Sequence, residues 1–210
     1  MPLQNRVTPQ GDIVAHAARG LMMGNRGGAL HDAHRTLHRR RWVSKQWICC
    51  RLAFNDRHRQ VMAPGQYTEL FFLDEATALA AGHRPCFECR RADAVAFATL
   101  WAKVHGRDGR ASAPEMDAIL HPERVDARGD KVTYTASLAS LPDGTFVRHE
   151  GQPMLVMGAG LHLWAPDGYR PPLPRPGNID AEVLTPRTIV AVLTAGFAPA
   201  IHPSTTAASG

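Results

Sequence analysis

The run Gly82-His83-Arg84-Pro85-Cys86-Phe87-Glu88-Cys89-Arg90-Arg91 restricts this chain more than any other feature. Pro85 stops a preceding helix, and two cysteines separated by two residues then aim their thiolates at one point, which is half of a tetrahedral zinc site. The amides and dipole of a helix beginning near Cys86 favour the anionic sulfur. A redox pair has the same spacing, so the other two cysteines matter. Cys49 and Cys50 lie 36 to 37 residues before Cys86, in a stretch with strand composition. Consecutive strand residues face opposite sides, so only one of them readily reaches the same ion. The expectation is a zinc site drawn from Cys49, Cys50, Cys86 and Cys89, with three thiolates. Its fourth ligand is a His, an Asp, a solvent molecule, or the remaining cysteine through a bulge.

The cysteines carry this weight because the chain reads as reducing-compartment protein. Residues 1–6 lack the charged-then-apolar layout of a signal peptide, so a cytoplasmic location is expected and metal comes before disulfides. No stretch approaches eighteen consecutive apolar residues, so no membrane partner is expected. With 44% hydrophobic and 20% charged residues in 210, the composition is that of a globular chain with a real core.

The net charge of +5 is unevenly spread. Residues 1–60 hold eleven Lys/Arg against three Asp/Glu, residues 61–110 balance at six each, and residues 111–210 carry seven against ten. A basic first third suits a phosphate-facing surface, since neutralising phosphates releases counterions. A solubilising patch is the plainer reading of the same asymmetry.

Element by element, the expectation is an α+β chain. Residues 1–30 read as an irregular N-terminal segment ending in the loop Asn25-Arg26-Gly27-Gly28. Residues 31–42 suggest a short helix with His31, His34 and His38 on one face. Residues 45–54 and 59–62 read as strands, and Glu69-Leu70-Phe71-Phe72-Leu73 as a third. Asp74 caps a helix through Ala81, closed by Gly82, and a second helix runs from near Cys86 to about Val104 with Phe97, Leu100, Trp101 and Val104 on its apolar face. A polar connector, 106–130, carries a short helix at 116–120. Strands follow at 130–136, 146–148 and 154–157, with Pro142-Asp143-Gly144 as a turn. A last helix spans 187–195, with Thr185 as its cap and Pro186 at its first position. Residues 201–210 read as a disordered tail. This divides the chain into a zinc-binding domain at 31–105 and a β-rich C-terminal domain at 131–200.

The aromatic strand, Glu75-Ala76-Thr77-Ala78-Leu79-Ala80-Ala81-Gly82-His83-Arg84-Pro85 and Cys86-x-x-Cys89 together resemble the metal-binding domain of the Ada DNA alkylation-response protein. Trp47-Ile48-Cys49 resembles the strand that ends at that family's first cysteine. The likeness covers roughly residues 42–101. It implies zinc and DNA, and it places Cys49 where the family's methyl-accepting thiolate stands, which favours Cys49 over Cys50 as the third ligand. The family's second cysteine, four residues after the acceptor, is Ala53 here, and the segment between Cys50 and the aromatic strand is longer. The resemblance therefore speaks for zinc and DNA more than for methyl transfer.

Pro85-Cys86-x-x-Cys89 also matches half of the zinc deaminase signature. The one His-x-Glu, His121-Pro122-Glu123, lies downstream, in the wrong order. For DNA contact the candidates are Arg26, Arg39, Arg40, Arg41 and Lys45, with Trp42 and Trp47 able to stack bases unless the core claims them. His31 as a general base, with Lys45 and Glu69, would make a catalytic set, and a second divalent ion, Mg2+ or Mn2+, would suit such carboxylates. A solvated histidine face and a strand-end glutamate are the structural readings of the same residues. The function expected is a zinc-containing endonuclease or nickase acting on DNA, plausibly alkylated DNA, in repair. The alternatives are a stoichiometric acceptor of methyl groups from DNA methylphosphotriesters and a non-catalytic zinc module that binds DNA.

Overall fold

The structure is a computed structural model that describes residues 1–56 and 60–206. Its described residues are mixed α+β, with two sheets and four α-helices. The first sheet contains β1 (Gln4–Val7), β2 (Ile13–Ala15), β3 (Met22–Asn25), β4 (Ile48–Cys50), β5 (Leu70–Phe72) and β6 (Arg84–Pro85), in the order β2-β1-β5-β3-β4-β6. The second is antiparallel: β7 (Tyr134–Ser137), β8 (Phe146–His149), β9 (Gln152–Met157), β10 (Gly160–Ala165), β11 (Gly168–Tyr169), β12 (Leu173–Pro174) and β13 (Asp180–Val183). Its order is β11-β10-β9-β8-β13-β7, with β12 beside β10.

Helix α1 (Glu75–Ala80) is buried on every side, which explains its alanines. Ala78 and Ala81 pack on Val7, Leu70 and Phe72 of the first sheet. Ala76 and Ala80 meet Phe146 and Leu155 of the second, and Leu79 enters a helical cluster with Phe97 and Trp101. Small side chains let three layers approach one helix closely; longer ones would force it out. Asp74 caps α1 by accepting from the Thr77 amide at 2.9 Å, and its other oxygen accepts from Tyr169 Oη at 2.7 Å and the His202 amide at 3.0 Å. Gly82 then turns the chain at φ +84°, where a Cβ would stand 2.6 Å from Arg124 Cδ.

Helices α2 (Arg91–Val104), α3 (Ala113–Arg124) and α4 (Arg187–Thr194) bury Phe97, Trp101, Met116, Leu120, Ile189 and Val192 together. Ser112 and Glu115 form a capping box that starts α3 before the expected 116–120, and the helix runs on to Arg124. Buried Asp117 on α3 takes a two-pronged bond from Arg84, at 3.0 and 2.7 Å, tying the helix to β6. The helical cluster and the α1 contacts each join residues from the segments before 105 and after 130.

Several expectations are corrected. Residues 1–30 are not irregular, for β1, β2 and β3 lie there; short polar strands such as Gln4–Val7 carry little apolar signal. Residues 31–42 are not a helix. The Asp32 carboxylate accepts from the His34 and Thr36 amides, both at 2.9 Å, Arg35 takes φ +62°, and His31 bridges to Leu37. A short side chain capturing nearby amides outcompetes the helix ladder. The strand expected at 45–54 shrinks to Ile48–Cys50, and residues 60–62 do not form a strand; Arg59 lies outside the described residues. Thr185 does not cap α4, because its hydroxyl accepts from the Phe146 amide at 2.9 Å. Pro203–Thr205 form a 3-10 turn, with Ser204 Oγ accepting from the Tyr169 amide at 2.8 Å; residues 207–210 lie outside the described residues.

Candidate metal centre

Strand β4 sets the centre by its pleat. Cys49 pairs with Gly24 across β3 and Cys50 with Met23, so the neighbours face opposite sides. Cys49 joins the apolar face with Val7, Leu70 and Phe72. Cys50 faces Cys86 and Cys89, with Met23, Ile48 and Phe54 packed around them. Beyond β6 the chain does not enter α2 at once. The Cys86 amide donates to the Cys49 carbonyl at 3.0 Å, and the Arg90 amide closes a turn on the Cys86 carbonyl at 3.0 Å. That turn brings both sulfurs of Cys86-x-x-Cys89 back toward Cys50.

The ligand atoms of Cys50, Cys86 and Cys89 all lie within 4.8 Å of one another, and no other group of His, Cys, Asp or Glu converges in this way among the described residues. Thiolates about 2.3 Å from a tetrahedral zinc stand roughly 3.8 Å apart, a separation within the spread of these three sulfurs. Backbone amides already serve the sulfurs: Glu88 donates to Cys86 Sγ and Arg51 to Cys89 Sγ, both at 3.4 Å. Such N–H···S bonds stabilise thiolates, and the soft donor set suits zinc. A buried group of sulfurs that could hold a metal such as zinc is therefore present, and the residues fit the ion.

Electrostatics separate the four cysteines. A hydrogen bond from the Cys50 thiol, aided by the amides, holds the Cys86 pKa below the usual thiol range, and the same bond raises that of Cys50. Burial raises Cys89. Burial, with Glu75 nearby, raises Cys49, whose sulfur accepts from Arg90 Nη1 at 3.6 Å. Arg90 in turn pairs with Glu75 at 2.7 Å and Asp93 at 2.9 Å. Cys49 is thus a packed core thiol held by an arginine, and Cys50 completes the trio.

The other residues singled out in the sequence take scattered places. His31 is buried, with Nδ1 2.6 Å from Thr68 Oγ1 and Nε2 3.2 Å from the Ala63 carbonyl. Both ring nitrogens are spent holding the chain. Glu69 is buried and accepts from the Met62 amide at 2.7 Å. Lys45 is exposed, and its carbonyl accepts from Arg124. Arg39 and Arg40 are exposed, the latter donating to the Val43 carbonyl at 2.6 Å. Arg26 is buried against Trp47, 4.0 Å from its ring centroid, and so is no surface contact. Trp47 belongs to the core, while Trp42 keeps part of its surface. His121 packs on both tryptophans and Glu123 accepts from Thr188, so the reversed deaminase pair is structural. Arg84 and Arg90 lie in the run around Cys86-x-x-Cys89 but were given no role from the sequence, and Asp117 carries no signal there beyond its charge. Among the described residues no helix is long and apolar enough to cross a membrane. No protein-family model, no curated protein and no solved structure matches this chain.

Proposed function

We propose that the chain is a zinc-containing DNA-processing protein, an endonuclease or nickase of DNA repair, with the ion held by Cys50, Cys86 and Cys89. The observation that carries the zinc is the trio of sulfurs within 4.8 Å. DNA is supported by the basic first sixty residues, by exposed Arg39, Arg40 and Lys45, and by the resemblance to the Ada metal-binding domain. The trio is only 6% to 9% exposed, and three thiolates give a zinc centre net negative charge. A phosphodiester is repelled there, so the zinc stabilises the fold and scission draws its acid and base from elsewhere. Since both nitrogens of His31 are engaged, by Thr68 and the Ala63 carbonyl, that residue holds the chain in place and is not assigned as a general base.

One observation keeps methyl acceptance as a second reading. Cys50 is a strand-borne thiol beside the Cys-x-x-Cys pair, one position after the place the resemblance gives the acceptor. Incubation with supercoiled plasmid, with and without Mg2+ or Mn2+, separates the readings. Nicked circles support scission. A permanent methyl mass on Cys50 after exposure to methylated DNA, without breaks, replaces it with acceptance. Binding with neither outcome leaves a non-catalytic DNA-binding module.

A further inference from the structure

A cavity of about 330 Å³ lies between the β1–β2 turn, the chain at 41–47 and the chain that follows α3. Ligand cavities span roughly 300–1,000 Å³. Five basic residues line it, Arg26, Arg41, Arg124, Lys131 and Arg148, against two acidic ones, Asp12 and Asp130. Both acids are exposed to solvent, and Arg148 is matched by Glu182 at 3.2 Å. The remaining four cations have no ion-pair partner among the described residues.

Two of them are deeply buried. Arg26 and Arg124 are 2% and 1% exposed, yet neutral acceptors hold them. Arg26 donates to the Gly11 carbonyl at 2.9 Å and to His83 Nε2 at 3.4 Å. Arg124 donates to the carbonyls of Gly82, at 2.8 Å, and Lys45, and its buried Nε has no hydrogen-bond partner. Both guanidinium groups stand over Trp47, 4.0 and 4.1 Å from its ring centroid. The ring's quadrupole offsets part of the desolvation but brings no countercharge. Lys131, which keeps some surface, donates to the Ala80 carbonyl. Burial first, then mutual repulsion, pushes Arg26 down to about 9 and Lys131 to about 7; burial brings Arg124 to about 9 as well.

Asp12 offsets part of this for Arg26 and Lys131, and Asp117 for Arg124, but cations around one cavity with no carboxylate paired to them remain costly unless an anion completes them. Carbonyls fix these guanidinium groups in advance, so an incoming anion meets a formed site. We propose that this cavity binds a phosphate group through Arg26, Arg124, Lys131 and Arg41. A phosphate monoester brings up to two charges and several oxygens, which suit several cations lining one cavity better than one carboxylate does. The phosphate has two sources, a free phosphate or nucleoside monophosphate, and the 5′-phosphate of a DNA end. The site uses none of the zinc ligands, so it does not depend on the metal; it shares Arg41 with the basic surface proposed for DNA, and Lys131 tests it apart from that surface.

The experiment is titration calorimetry on the zinc-loaded full chain at low ionic strength. The probes are inorganic phosphate, a nucleoside monophosphate, and a short oligonucleotide with and without a 5′-phosphate. Saturable binding of at least one phosphate probe is expected, weakened roughly tenfold by Lys131→Met and by Arg41→Gln. Arg41 keeps part of its surface, so its variant tests the site with little threat to folding. Preference for the 5′-phosphorylated over the hydroxyl oligonucleotide assigns a DNA end, and stronger binding of the mononucleotide assigns a free ligand. No saturable binding of any probe, or wild-type affinity in both variants, overturns the proposal.

Discussion

Cys49 and Cys50 occupy consecutive positions of β4 and send their sulfurs to opposite faces of one sheet. One thiol packs against Val7, Leu70 and Phe72 beneath α1, while the other faces Cys86 and Cys89. A one-residue slip of β4 would exchange them, so the register with Met23 and Gly24 decides which cysteine is offered to a metal.

On its other edge β4 pairs with β6, which Arg84 and Asp117, both buried, tie to α3. Asp117→Asn removes one charge and strands the other, which costs about 3–5 kcal/mol. Denaturant unfolding should show this loss with an unchanged slope. A loss under about 1 kcal/mol would mean that Arg84 finds another partner.

Gly82 at φ +84° faces Arg124, and Gly82→Ala adds both backbone strain and a contact at 2.6 Å. The expected penalty is roughly 1–3 kcal/mol. Thermal unfolding checks it, and a variant as stable as the wild type contradicts the turn described here.

Much of this was legible in the chain because the signals were local. Asp74 before an alanine run and Gly82 after it announce α1, and Pro85-Cys86-x-x-Cys89 announces the thiol pair. The resemblance favoured Cys49 as the third ligand, whereas the sulfur that lies beside Cys86 and Cys89 is that of Cys50; the difference rests on pairing with β3, more than twenty residues away, which sequence does not show. The short helix suggested by His31, His34 and His38 fails because Asp32 takes the amides such a helix would need. Spacing cannot reveal that competition. Nor could it reveal the cavity cations, which come from residues 26, 41, 124, 131 and 148, far apart in the chain.

Stability should depend on pH through His83, buried between Trp47 and Phe72 with Arg26 donating to its Nε2. Burial, then Arg26 and Arg124, holds its pKa well below the ordinary histidine value. The unfolded chain takes up a proton near pH 6.5 that the folded chain refuses, so stability is full above that pH and falls as pH drops through it. Unfolding free energies of the wild type and His83→Gln from pH 8 to 5 test this. A steeper decline in the wild type is expected, and parallel curves would remove His83 from the account.

DNA binding, if it uses the basic N-terminal surface, should weaken for all sequences when Arg39, Arg40 and Arg41 are changed together to Ala. The slope of log affinity against log salt should then fall by up to about three units. Fluorescence anisotropy at several salt concentrations measures it, and an unchanged slope would move the DNA surface elsewhere.

On the proposed reading Cys50, Cys86 and Cys89 hold the metal and Cys49 does not. Zinc stoichiometry by elemental analysis on wild-type protein and four single Cys→Ser variants, all purified without chelators, tests it most directly. About one zinc per chain is expected in the wild type and in Cys49→Ser. Cys50→Ser, Cys86→Ser and Cys89→Ser should lose most of the ion and unfold at lower denaturant, because structural zinc contributes folding free energy. A wild-type protein without zinc, or full occupancy in Cys50→Ser with loss in Cys49→Ser, contradicts the account.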